Sequence, residues 1–104
     1  MTEVIAFSII NIELTTQDKE YSWQLPKNLK KFTLHVRDGT AIRLAMVADK
    51  VAGSNSPYFT LKANTAWSED HLDIQSDDVF LYMACGSAGK IVEILVGMGR
   101  EQWQ

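Results

Sequence analysis

Residues 32–46 read Phe32-Thr33-Leu34-His35-Val36-Arg37-Asp38-Gly39-Thr40-Ala41-Ile42-Arg43-Leu44-Ala45-Met46. Phe32, Leu34 and Val36 fall on one side of an extended chain, and Thr33, His35 and Arg37 on the other. A period of two marks a half-buried strand. Asp38-Gly39 follows, and Ile42, Leu44 and Met46 then share a face. An Asp-Gly pair between two alternating runs predicts a hairpin, because glycine takes positive φ without penalty.

The same alphabet continues on both sides. Val, Ile, Thr, Phe, Tyr and Trp fill short apolar segments, and turn residues interrupt them at short intervals. Further strands are predicted over 4–14, 21–25, 58–63, 71–74, 79–84 and 90–96, with Pro26 closing the second because proline cannot donate to a ladder. Residues 49–57 read as the main break, with 52–57 as an exposed loop, and Cys85-Gly86-Ser87-Ala88-Gly89 as a second hairpin connection. The pattern predicts an all-β protein: a compact antiparallel β-sandwich of seven or eight short strands, a jelly roll being one version. Residues 1–97 form the sandwich in this reading, and 98–104 a polar tail that carries Trp103.

The first segment departs from simple alternation. Val4, Ala6, Ser8, Ile10 and Ile12 share one face; Ile5, Phe7, Ile9 and Asn11 share the other. A strand on a half-solvated sheet should be polar on one side. Two apolar faces predict a strand covered twice, or one laid against another chain. Val4, Ile5, Phe7 and Ile9 are therefore candidate residues for self-association or capsid contact, and Trp103 joins them because a tryptophan in a polar tail offers large burial to a neighbour.

Bulk properties narrow the function. With 104 residues, 46% hydrophobic and 22% charged, the chain has the size and composition of one globular domain. A net charge of -3, with Lys27, Lys30 and Lys31 as the local basic cluster, argues against nucleic acid. The single cysteine, Cys85, excludes an internal disulfide and any multi-thiolate metal site. Met1-Thr2-Glu3 lacks the basic start of a signal peptide, and the apolar run 4–10 is too short to span a bilayer.

No catalytic constellation is legible. His35 and His71 lie in separate segments with no metal-ligand spacing. Cys85 precedes a glycine turn but has no predicted base beside it. Gly86-Ser87-Ala88-Gly89 lacks the spacing and the strand-to-helix context of a nucleophile elbow. Glu69, Asp70, Asp73, Asp77 and Asp78 do not follow the calcium-loop pattern and read as solvated turns. The expectation is a protein that is not an enzyme and takes no cofactor or metal. The alternative is a carbohydrate-binding module, with Trp67 and Tyr58 stacking on sugar rings.

Four segments carry a resemblance: Tyr21-Ser22-Trp23-Gln24-Leu25-Pro26, Phe32 to Gly39, Tyr58-Phe59-Thr60-Leu61-Lys62-Ala63, and Phe80-Leu81-Tyr82-Met83 with Gly89-Lys90-Ile91-Val92-Glu93-Ile94-Leu95. Over roughly residues 20 to 96 the chain resembles small β-sandwich virion proteins of tailed bacteriophages, including capsid decoration (cement) proteins. The resemblance implies a structural role on the capsid surface, production in the host cytoplasm, and partnership with itself and with a capsid or other virion protein. Three-fold sites on a capsid would favour a homo-trimer.

Overall fold

The computed structural model describes residues 2–53, 55 and 57–102, and the side chains of 2–5 and 100–102, like Trp103, lie outside the described residues. Eight strands occur among the described residues: β1 (Thr2–Leu14), β2 (Tyr21–Gln24), β3 (Leu29–Val36), β4 (Ile42–Ala45), β5 (Phe59–Leu61), β6 (Ala66–Glu69), β7 (Phe80–Ala84) and β8 (Lys90–Gln102). They form two four-stranded antiparallel sheets, ordered β1-β8-β3-β6 and β2-β7-β4-β5.

The sheets close on each other because each strand presents its apolar face inward. Phe32, Leu34 and Val36 of β3 lie beside Val92, Ile94 and Val96 of β8. Trp23, Leu81, Met83, Ile42, Leu44 and Leu61 meet them from the second sheet. All of these are buried, and no buried side-chain nitrogen or oxygen among the described residues lacks a hydrogen-bond partner. An aromatic chain threads the interior. Trp23 meets Phe32 edge to face at 5.6 Å, and Phe32 meets Trp67 at 5.1 Å in the same way. Such contacts add about 0.5–1.5 kcal/mol each beyond area burial.

The hairpin expected at Asp38-Gly39 does not form. β3 pairs with β8 and β6, whereas β4 pairs with β5 and β7, so this connection crosses from one sheet to the other. The turn itself is present: Gly39 sits at φ 81°, and its N–H donates to Val36 O at 2.9 Å. What changes is the partner. Arg37 N–H donates to Ile91 O of β8 at 2.9 Å, and Thr40 N–H is taken by Asp38 Oδ1 at 3.1 Å. Turn chemistry reverses the chain without choosing which sheet it enters. The segment 85–89 repeats the correction, since β7 and β8 also belong to different sheets. Each is nevertheless an interior strand of its own sheet.

Three smaller differences have local causes. The strand expected over 71–74 is replaced by β6, which pairs with β3 from Phe32↔Glu69 to His35↔Ala66. The break over 49–57 is anchored at its start, where Val51 is buried with Ala45 and Ala84 and Arg43 Nε donates to Val51 O at 2.6 Å, while Gly53, Asn55 and Pro57 are exposed as expected. Finally, β8 does not end at Val96. It pairs with β1 without interruption from Leu14↔Lys90 to Thr2↔Gln102. β3 accompanies it only as far as Leu29↔Met98, after a bulge between Leu29 and Lys31. Beyond that point the two strands continue as a two-stranded ribbon, and the molecule measures 49 × 26 × 19 Å.

Candidate functional site

The outer face of the first sheet holds the most distinctive surface. Register alone builds it. Phe7, Gly97 and Lys31 form one cross-strand row; Ile9, Leu95, Thr33 and Ser68 form the next; Asn11, Glu93, His35 and Ala66 the third. Phe7, Ile9 and Leu95 are 58%, 72% and 45% exposed. For side chains of this size that amounts to on the order of 300 Å² of contiguous apolar surface, the scale at which patches on monomers become functional.

Gly97 has no side chain, so Phe7 and Lys31 reach towards each other across β8. The Lys31 ammonium stands 5.2 Å from the Phe7 ring centre. A depression of about 340 Å³ lies here, with Thr33, Ser68, Asp70 and Leu95 also on its wall. Thr33 Oγ1 and Ser68 Oγ share a hydrogen bond at 2.8 Å. In the third row, charge replaces the apolar side chains. Glu93 receives Arg37 Nε at 2.7 Å and lies 2.9 Å from His35 Nε2. The Arg37 hydrogen bond holds the Glu93 carboxyl below its ordinary range, aided by the charges of Arg37 and His35 and opposed by desolvation.

Of the residues singled out for association, Phe7 and Ile9 fall on this face together. Val4 and Ile5 continue the same strand, but their side chains lie outside the described residues, as does Trp103. Leu95 was not singled out from the sequence. It completes the patch because β8 is central and still carries a large apolar residue on its outer side, a signal present in the strand's two-faced pattern.

The glycan candidates are arranged differently. Trp67 is half-buried, with its ring edge against Phe32, a tilted contact to Phe59 at 6.2 Å, and its Nε1 donating to Glu69 Oε2 at 2.7 Å. Tyr58 is exposed just before β5. Trp67, but not Tyr58, lines an apolar cleft of about 240 Å³ together with Leu44, Ala45, Met46, Phe59 and Leu81. A sugar site needs convergent polar groups as well as a ring face, and this lining supplies almost none.

The titratable residues disperse. His35 bonds Glu93, while the solvated His71 bonds Asp70 at 3.0 Å. Asp77 lies 3.9 Å from Lys27. Cys85 is buried, donates to Ala41 O and accepts from Ser87 N–H. Among the described residues, no group of three or more His, Cys, Asp or Glu side chains converges to hold a metal ion. No family model matches the chain, and neither a curated protein nor a solved structure matches it.

Proposed function

We propose that this protein is a non-enzymatic virion structural protein, a capsid decoration protein that binds copies of itself and the capsid. The observation that carries the reading is the exposed apolar row Phe7–Ile9–Leu95 on a rigid sheet, continued by a projecting two-stranded ribbon. A surface of this kind offers burial to another protein. The sandwich is read as a jelly roll: eight strands ordered β1-β8-β3-β6 and β2-β7-β4-β5 are what two interleaved Greek keys produce. That architecture is used in viral capsids and also in lectins, so the fold alone does not choose the role. The outer-face patch favours protein contact over sugar. On a capsid lattice, many copies let each individual contact stay weak.

The test is location. An antibody against the chain should label particles of virion density from the biological source that encodes it, at a fixed number of copies per particle. Signal confined to the soluble fraction, or specific binding of a glycan that depends on Tyr58, overturns the reading.

A further inference from the structure

We infer that β1 is an open edge that pairs antiparallel with β1 of a second copy, across a two-fold axis at Phe7. The inference deepens the self-association proposed above and rests on it.

An edge strand exposes a row of unpaired N–H and C=O groups, and soluble proteins blunt such edges by shortening, charging or bulging them. Three of the four edges here are short: β2 has 4 residues, β5 has 3 and β6 has 4. The fourth, β1, has 13 residues, and its register with β8 contains no break. It carries no proline and no lysine or arginine. Among the described residues, no backbone hydrogen bond reaches β1 from anything but β8 and Gly89. Shortening, bulging, proline and basic charge are all missing from the longest edge, and its charges, Glu3 and Glu13, stand near its two ends.

The ribbon gives a second, independent argument. β3 leaves β8 at Met98, and past it Gly99 N–H still donates to Asn28 O at 2.7 Å; among the described residues, positions 2–5 and 100–102 have only the β1–β8 ladder for strand pairing. A lone two-stranded ribbon is marginal in water. It becomes stable when a third strand joins it.

Register follows from charge and face. A two-fold axis perpendicular to the sheet keeps both outer faces together, so odd positions oppose odd positions. Placing Ser8 on the axis sets Glu3 opposite Glu13 of the second copy, twice, and directly opposed like charges destabilise a pair. Placing Ile9 there sets Ile5 opposite Glu13 and Phe7 opposite Asn11. With Phe7 on the axis, Phe7 meets Phe7, Ile5 meets Ile9 and Glu3 meets Asn11. This register alone pairs the large apolar residues and opposes no like charges. It also lays the ribbon of each copy along positions 9–12 of the other, which supplies the missing third strand.

The extent sets the strength. Positions 2–12 span about 36 Å at ~3.3 Å per residue, and a sheet is about 10 Å thick, giving roughly 360 Å² of contact per copy. A standard interface buries about 800 Å² per partner. The dimer is therefore weak and concentration-dependent, and is reinforced when many copies share a lattice. The contact is two-fold, in place of the trimer that three-fold capsid sites suggest.

The experiment uses the full chain from about 1 μM to about 1 mM, followed by light scattering and hydrogen exchange. Dimer formation should slow exchange of the β1 amides at least tenfold in the concentrated sample. Phe7→Lys should weaken the dimer at least tenfold without lowering the thermal midpoint of dilute protein; Phe59→Lys, on β5, should leave the dimer intact. Single replacements Phe7→Cys, Ser8→Cys and Ile9→Cys report the three registers through a short thiol cross-linker, with Phe7→Cys reacting fastest. Cys85 is buried and stays silent. A chain that remains monomeric throughout, or an oligomer whose β1 amides exchange no more slowly, overturns the inference. Fastest cross-linking through Ser8→Cys or Ile9→Cys overturns the register. The virion reading is decided separately by particle labelling.

Discussion

Replacing Gly39 with alanine should destabilise the protein by about 2–3 kcal/mol, a sum of two separable costs. Gly39 holds φ 81°, a conformation that costs an L-residue roughly 1–2 kcal/mol. A Cβ built there also overlaps Asn64 Oδ1 and lies 3.1 Å from Asn64 Cγ. The Asn64 side chain must turn away, at a cost of about 0.5–1.5 kcal/mol if it leaves its rotamer. It cannot move as a whole, because Asn64 N–H donates to Gly39 O at 2.8 Å. The assay is urea or thermal unfolding of Gly39→Ala, Asn64→Gly and the double variant. Asn64 itself sits at φ 61°, which glycine accepts freely, so its single replacement should change little. The double variant should recover the steric part and retain the backbone part. At ~4–8 °C per kcal/mol, Gly39→Ala should lower Tm by about 10–20 °C. A loss under about 0.5 kcal/mol would mean the crossover between sheets does not use a left-handed residue here. Strict additivity of the two changes would remove the contact with Asn64 from the account.

Leu34→Ala should cost about 2–5 kcal/mol by denaturant unfolding, since Leu34 is fully buried between the sheets and its loss leaves a cavity. Acid stability should depend on Asp38, whose carboxyl is lowered from 3.8 to about 2, first by the hydrogen bond from Lys90 and then by those from Thr40. The folded value lies below the unfolded one, so this contribution is complete above about pH 4 and is lost as pH falls through about 2. Asp38→Asn should flatten that part of the urea midpoint against pH, and an unchanged slope would remove Asp38 from the acid transition.

Much of the fold was legible because apolar residues alternate where strands occur. Phe32, Leu34 and Val36 on one face are enough to place β3, and Tyr21-Ser22-Trp23-Gln24 to place β2. Partnership was not legible. Asp38-Gly39 and Gly86–Gly89 announce reversals, but the chain reverses equally well within a sheet or between sheets. Only the long-range bond from Arg37 N–H to Ile91 O decides. β6 was missed because Ala66-Trp67-Ser68-Glu69 has a single large apolar residue, too few to show a period of two. Phe7 and Ile9 were found from the double-sided pattern of β1. Leu95 was obscured because outward and inward apolar residues look alike in an interior strand. Trp67 looked isolated among polar neighbours, and its burial came from Phe32, which is distant in sequence.

The strand order also governs when the protein can fold. Among the described residues β1 finds its only partner strand in β8, and β3 needs β8 as well, so the first sheet has no spine until β8 has been made. At about 5–20 residues per second, the ribosome takes roughly 4–18 s to travel from the first residues of β1 to those of β8. Throughout that interval the apolar segment 4–12 has nothing of its own to pair with. Neighbouring nascent chains on one message offer each other the same edge. Synthesis rate and chaperone access should therefore control yield more strongly than equilibrium stability does, and slow folding is expected where so few contacts are local.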